Sequence, residues 1–163
     1  MKTSQIGVDL IKYFESLHDG DLKQIGLQPK MCPSGVWTEG WGNAIFYKGK
    51  LLKGIENKKL AYSLSKIKTK EQADLALLAI LPKYEKIVTD NIKVPLKQNQ
   101  FDALVSHTYN TGGSNGLFQL INNRASRKDI ENWFLNKYIT GGGVVWKGLV
   151  ARRKAESKLY FHE

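Results

Sequence analysis

The fold of this chain follows from two neighbouring stretches, YFESL at residues 13–17 and CPSGVWTEGWGN at residues 32–43. Apolar residues at helical spacing before the first predict a helix from about Thr3 to Glu15; they are Ile6, Leu10, Ile11 and Phe14. The second stretch combines β-formers with glycines, which predicts short antiparallel strands and tight turns. Glu15 stands at the boundary. A carboxyl group beside apolar surface resists ionisation, as a general acid must. Glu15 is therefore the first candidate for chemistry, the alternative being a solvated helix-end residue.

The spacing of five residues in these stretches resembles that of the phage-type lysozymes, endolysins that cut bacterial peptidoglycan. That family has a Glu, then an Asp or Cys, then a Thr that opens a Thr-x-Gly-x-Gly run. Glu15 matches the first position, Cys32 the second and Thr38 the third, with Gly40 and Gly42 following.

Two later stretches agree with the resemblance. Residues 100–106 followed by Tyr109-Asn110-Thr111-Gly112 resemble the family's central buried helix and its terminal Asn-x-Gly, and residues 148–156 resemble its C-terminal helix. Two features depart from the family. The segment between Glu15 and Cys32 is longer than usual, and Asn43 stands where a His often follows the second Gly.

The resemblance implies an α+β, mostly helical, lysozyme-like fold. It implies a single domain of residues 1–163, with a small β-containing N-terminal lobe at about 13–60. The larger helical C-terminal lobe would comprise about 61–163 plus the first helix, with a cleft between the lobes. A change of hydrophobic period near Ile55 is consistent with this division.

The implied activity is hydrolysis of the β-1,4 bond between N-acetylmuramic acid and N-acetylglucosamine in peptidoglycan, for host cell lysis. By the resemblance, Glu15 protonates the leaving oxygen. We hypothesise that Cys32 and Thr38 flank a water on the opposite face and that the anomeric centre is inverted. The thiol could act as a thiolate or simply fill the position of the family's Asp. Tyr109 and Asn110 are expected to contact sugar, although Asn110 could instead cap its helix.

Four other residues near the motif have two possible roles. Asp19 and Asp21 could supply a second carboxylate, but Asp-Gly is a strong turn signal. Trp37 and Trp41 could stack on sugar rings or belong to the core.

Further helices are predicted at about residues 69–81, 97–109, 117–122, 126–138 and 147–161. Thr69 and Gln72 form a capping-box signature, and Pro82 is expected to open a new helix. His107 is expected to be a satisfied core or surface histidine. No second His or Cys lies at ligand spacing, so neither a metal site nor any other cofactor is predicted. Residues 141–143 are expected to be a flexible stop.

The net charge of +10 and pI near 9.6 predict attraction to polyanions, among them nucleic acid, anionic lipid and acidic bacterial envelope polymers. The last helix carries a basic face that could touch such a polymer or simply be solvated; it consists of Arg152, Arg153, Lys154 and Lys158. Three alternatives stay open: a lytic transglycosylase, a non-catalytic peptidoglycan-binding protein, and a basic nucleic-acid-binding module. No recognised nucleic-acid motif supports the last.

The length of the apolar runs, the cysteine count and the first residues lead to the remaining expectations. No apolar run reaches the length of a membrane span, and one cysteine excludes an internal disulfide. The first residues have no apolar core typical of a signal peptide. We expect a monomer that needs no stable protein partner, binds no nucleic acid and does not insert into membranes. It would be made in the host cytoplasm and released to the wall by a separate holin-like protein.

Overall fold

The computed structural model describes residues 1–162, which divide into two compact units. The β-unit is Glu15–Ile80, and the helical unit is Met1–Phe14 together with the chain from Leu81 onward. The described residues include seven α-helices and several strands of two or three residues, which confirms the α+β, mostly helical prediction. Among them, no helix has the length and apolarity that crossing a membrane requires.

The β-unit contains the small antiparallel sheet and hairpin that the sequence predicts. Its strands are β1 Lys30–Met31, β2 Trp37–Glu39, β3 Asn43–Ala44, β4 Phe46–Tyr47 and β5 Lys50–Leu51. The sheet has the order β1-β2-β3, and the hairpin pairs β4 with β5. Strand β1 was not indicated by the sequence, because prolines at positions 29 and 33 flank it.

Both tryptophans of the motif belong to the interior of the β-unit. Trp37 packs with Ile45 and Leu52, and its Nε1 donates to the carbonyl of Gly54 at 2.8 Å. Trp41 is 8% exposed, and its Nε1 donates to Asp74 Oδ1 at 2.7 Å. Burial with a satisfied N–H is the usual state of a core indole, so the core interpretation is correct.

The helices follow the predicted order. They are α1 Gln5–Glu15, α2 Lys58–Leu64, α3 Lys70–Asn91, α4 Gln98–Thr111, α5 Asn115–Asn122, α6 Arg127–Asn136 and α7 Lys147–Tyr160. The capping box is confirmed, since the Gln72 N–H donates to Thr69 Oγ1 and the Thr69 N–H donates to Gln72 Oε1, both at 3.2 Å. Ile6 is 64% exposed rather than core.

Two predicted breaks differ from the structure. Pro82 lies inside α3; proline has a helical φ, so the helix continues at the loss of one backbone hydrogen bond. Residues 141–143 are not a flexible stop. They connect β6 Thr140–Gly141 to β7 Val144–Val145 through Gly142 and Gly143, whose φ values are +59° and +81°.

A buried ionic cluster joins α4 to α7 within the helical unit. Glu156 is fully buried, and its Oε1 accepts from Ser106 Oγ at 2.9 Å and from Arg152 Nε at 3.1 Å. Its Oε2 lies 2.9 Å from the Arg153 guanidinium. The prediction of a basic face on the last helix was therefore wrong for Arg152 and Arg153. Spacings of three and four residues place Glu156 beside both of them on one helix face.

His107 belongs to the same cluster, as expected of a core histidine. It is fully buried, and its Nε2 lies 2.8 Å from Ser114 Oγ. Burial lowers the pKa of His107, against the opposing effect of Glu156. Burial also acts to raise the pKa of Glu156, but hydrogen bonding to His107 and the charges of Arg153 and Arg152 prevail and lower it.

These two shifts predict a pH dependence of stability. Both groups hold their protons less tightly when folded, so acid favours the unfolded chain. The melting temperature should fall as pH drops below about 6.5, where unfolded histidine titrates, and fall again below about 4.3, where unfolded glutamate does. Calorimetry between pH 8 and 4 measures this. His107→Gln should reduce the first decline, and a flat wild-type profile between pH 7 and 5 would contradict the assignment.

Candidate active site

An open pocket of about 540 Å³ lies within the β-unit. It is lined by the segment after α1 and by the β1 hairpin; the residues are Glu15, Ser16, Leu17, His18, Lys30, Met31, Cys32, Pro33 and Gly35. The structure thus brings together two residues that the motif singled out, Glu15 and Cys32. Within residues 1–162 there is no cluster of three His, Cys, Asp or Glu side chains that could hold a metal ion.

The end of α1 places Glu15 at this pocket. Ser16 adopts a left-handed conformation with φ of +58°, which ends the helix immediately after Glu15. The carboxylate lies against Gly42: a Cβ at that position would be 2.7 Å from Glu15 Oε2. Gly42 also has φ of +85°, so both the backbone conformation and the close approach require glycine.

Cys32 is positioned by a three-residue hairpin loop. Its N–H donates to the Val36 carbonyl, and the Gly35 N–H donates back to the Cys32 carbonyl, each at 2.8 Å. Gly35 has φ of +78°, as this kind of loop requires at its last position. The thiol is partly exposed, and its Sγ lies 3.0 Å from Ser34 Oγ.

Thr38 is bonded to two residues that line the pocket. It is on β2, is 6% exposed and is not among the residues that line the pocket. Its Oγ1 donates to the Lys30 carbonyl at 2.9 Å and lies 2.9 Å from His18 Nδ1. Both of these partners line the pocket, so Thr38 contacts the wall through His18 and Lys30.

His18 is the site residue that sequence reasoning missed. Its backbone N–H donates to the Gly40 carbonyl at 2.9 Å, which ties the segment after α1 to the Gly-rich run. Burial lowers the pKa of His18; the charge of Glu15 opposes this shift and that of Lys30 adds to it. The available signal was its position three residues after Glu15, in the same segment.

The two aspartates near the motif form turns. Asp19 Oδ1 accepts from the Asp21 N–H at 3.2 Å and from the Gln28 N–H at 3.3 Å. Asp21 accepts from the Lys23 N–H at 3.1 Å. Neither aspartate lines the pocket, which confirms the turn interpretation.

Tyr109 and Asn110 lie near the end of α4 in the helical unit. The Tyr109 ring centroid is 4.8 Å from that of Tyr84, and Asn110 Oδ1 accepts from the Arg153 guanidinium. Gly112, with φ of +82°, is the residue that caps the helix. The capping alternative for Asn110 is therefore wrong, and the contact of both residues with sugar stays a prediction.

Comparison with known proteins decides the family, because the model of the phage lysozyme family matches residues 22–156. The chain belongs to the phage lysozyme family. It is accordingly a glycoside hydrolase of the lysozyme type. The endolysin of Acyrthosiphon pisum secondary endosymbiont phage 1 is 28% identical over 167 residues, which cover 98% of each chain.

Other similar proteins differ in how much of their own length is covered by this chain. The Lactococcus phage c2 endolysin is 31% identical over 98% of this chain, which spans only 60% of that relative. The endolysin from Escherichia coli O157:H7 phage FAHEc1 has a TM-score of 0.73 at 31% identity, covering 99% of this chain and 94% of that one. The muramidase domain of SpmX from Asticaccaulis excentricus has a TM-score of 0.71 at 25% identity, covering 99% of both. The lysozyme-like fold is thereby confirmed.

The contact between Gly42 and Glu15 yields a test of how the lysozyme holds its carboxylate. Gly42→Ala should displace Glu15, because the added Cβ would overlap Oε2, and we expect peptidoglycan-degrading activity to fall at least about tenfold. Gly49→Ala is the matched control, since φ is also positive there, at +75°, but no atom lies within 4 Å of the added Cβ and the residue does not line the pocket. Equal activity in the two variants would show that the close approach does not matter.

Proposed function

We propose that this lysozyme hydrolyses the β-1,4 bond between N-acetylmuramic acid and N-acetylglucosamine in bacterial peptidoglycan and thereby lyses the host cell. The observation that carries the proposal is the convergence of Glu15 and Cys32 on one pocket, with Thr38 hydrogen-bonded to His18 and Lys30 of its lining. Its support is the family match and the endolysin and muramidase names of similar proteins.

In the proposed mechanism Glu15 transfers its proton to the leaving glycosidic oxygen. A water attacks the anomeric carbon from the opposite face as the glycosidic bond breaks, which inverts the configuration. Cys32, when ionised, accepts the proton that the water releases, and Thr38 orients the water by hydrogen bonding. No metal or organic cofactor takes part in this scheme.

Charge supports a wall polymer as the substrate. The net charge of +10 attracts acidic envelope polymers and concentrates the enzyme at them. We infer that the protein reaches the wall from the host cytoplasm with the help of a separate holin-like protein, and that it acts as a monomer.

A second candidate is lytic transglycosylation of the same bond. Among the pocket-lining residues that the structure describes, Glu15 is the sole carboxylate. A single acid can serve an intramolecular reaction in which a substrate hydroxyl attacks in place of water. The two reactions leave different ends, reducing N-acetylmuramic acid or its anhydro form.

Replacing the acid tests the assignment. Glu15→Gln should lower lysis of outer-membrane-permeabilised Gram-negative cells by at least about a hundredfold, because the amide cannot donate a proton to the leaving oxygen. Turbidity loss measures the rate and mass spectrometry identifies the released ends. Reducing muramic ends support hydrolysis and anhydro ends support the second candidate. A folded Glu15→Gln enzyme with wild-type lysis would contradict both.

Replacing the thiol tests its role. If the thiolate accepts the proton, Cys32→Ser should lower the rate about tenfold or more, since a hydroxyl is a far weaker base. Cys32→Asp restores the other residue that the family uses at this position, and we expect it to retain activity. Full activity in Cys32→Ser would show that the residue only fills its position.

A further inference from the structure

The hydroxyl of Thr38 has one hydrogen and two lone pairs, so its hydrogen-bond partners can be assigned. The hydrogen is donated to the Lys30 carbonyl, a partner that can only accept, at 2.9 Å. The second contact, 2.9 Å to His18 Nδ1, must then be one in which Thr38 accepts. His18 therefore carries a hydrogen on Nδ1, and neither contact uses the second lone pair of Thr38.

We propose that His18 is a positioning residue that fixes Thr38 as a hydrogen-bond acceptor for the attacking water. Thr38 donates its hydrogen to the Lys30 carbonyl and accepts a hydrogen bond from His18. Towards a water it can therefore act only as an acceptor. A water that donates to Thr38 keeps its own lone pair free for the anomeric carbon. This inference rests on the proposed function, because it assigns a partner to the Thr38 of that mechanism.

The backbone supports the same arrangement. Lys30 and Thr38 are register partners in β1 and β2, so the acceptor carbonyl is fixed by the sheet. The His18 N–H donates to the Gly40 carbonyl at 2.9 Å. This bond fixes the backbone from which the imidazole extends. Two backbone contacts therefore position the partners of the Thr38 hydroxyl: the strand pairing of Lys30 with Thr38 and the bond from His18 to Gly40.

The proposed role does not depend on the charge of His18. The charged and titratable groups near the ring are Glu15, Lys30 and Cys32, all of which line the pocket with it. Burial favours the neutral ring. A protonated ring also carries a hydrogen on Nδ1, so the bond to Thr38 exists in either state. A base acting through Thr38 would instead need Nδ1 without hydrogen.

Two substitutions of His18 separate positioning from general-base action. The side-chain amide of His18→Asn places an N–H near the position of Nδ1, whereas His18→Leu removes the donor. On soluble, uncrosslinked peptidoglycan fragments, we expect His18→Leu to lower kcat about tenfold with little change in KM. His18→Asn should recover most of that loss and keep the acid limb of the wild-type pH profile. His162→Leu, which removes an exposed imidazole, is the control, and melting temperatures establish that all variants are folded.

Other outcomes would overturn the proposal. Equal loss in folded His18→Asn and His18→Leu would show that an N–H donor is not what matters. Loss of the acid limb in His18→Asn would make His18 the base.

A measurement independent of activity keeps this inference distinct from the proposed function. Nitrogen-15 NMR of the imidazole at pH 8 should show the hydrogen on Nδ1 in the wild type. A hydrogen on Nε2 alone would overturn the inference even if the enzyme cleaves peptidoglycan as proposed. Conversely, an Nδ1 hydrogen in a protein that does not cleave peptidoglycan would refute the proposed function and leave the assigned hydrogen bond intact.

Discussion

The close approach of the Glu15 carboxylate to Gly42 is the constraint on which the pocket depends. A Cβ at position 42 would lie 2.7 Å from Oε2, so the Gly-rich run is needed for space as well as for backbone conformation. Two neighbours complete the arrangement: Ser16 ends α1 at the carboxylate, and His18 bonds its backbone to Gly40. The carboxylate is thus placed by contacts within a few residues of each motif, which explains why so short a sheet can position it.

The helical unit depends instead on a buried charge. Glu156 draws Arg152 and Arg153 into the interior, and removing such a partner typically costs about 3–5 kcal/mol because the remaining charges stay buried. Two of the four residues of the predicted basic face are therefore structural. The residues of α7 that can attract an acidic polymer are exposed ones such as Lys154 and Lys158. Net charge consequently describes long-range attraction better than it describes a binding face.

Local signals account for what the sequence predicted correctly. The Thr69 and Gln72 capping box, the Asp19 turn and the Gly-rich run each act over a few residues, and each appears in the structure. What was missed depends on partners distant in the chain. The inward orientation of Arg152 is stabilised by a bond to the Ser106 carbonyl as well as by Glu156, and His18 contacts Thr38, twenty residues away. The family resemblance supplied the candidate residues, and the geometry supplied the connection between them.

In the proposed mechanism a water, oriented opposite Glu15, displaces the leaving sugar in one step. The decisive measurement is proton NMR of the product, recorded within seconds of cleaving a soluble β-linked peptidoglycan fragment and before mutarotation. The new reducing N-acetylmuramic acid should appear first as the α-anomer. Initial appearance of the β-anomer would contradict it, because retention requires a covalent intermediate or its equivalent on the enzyme or substrate.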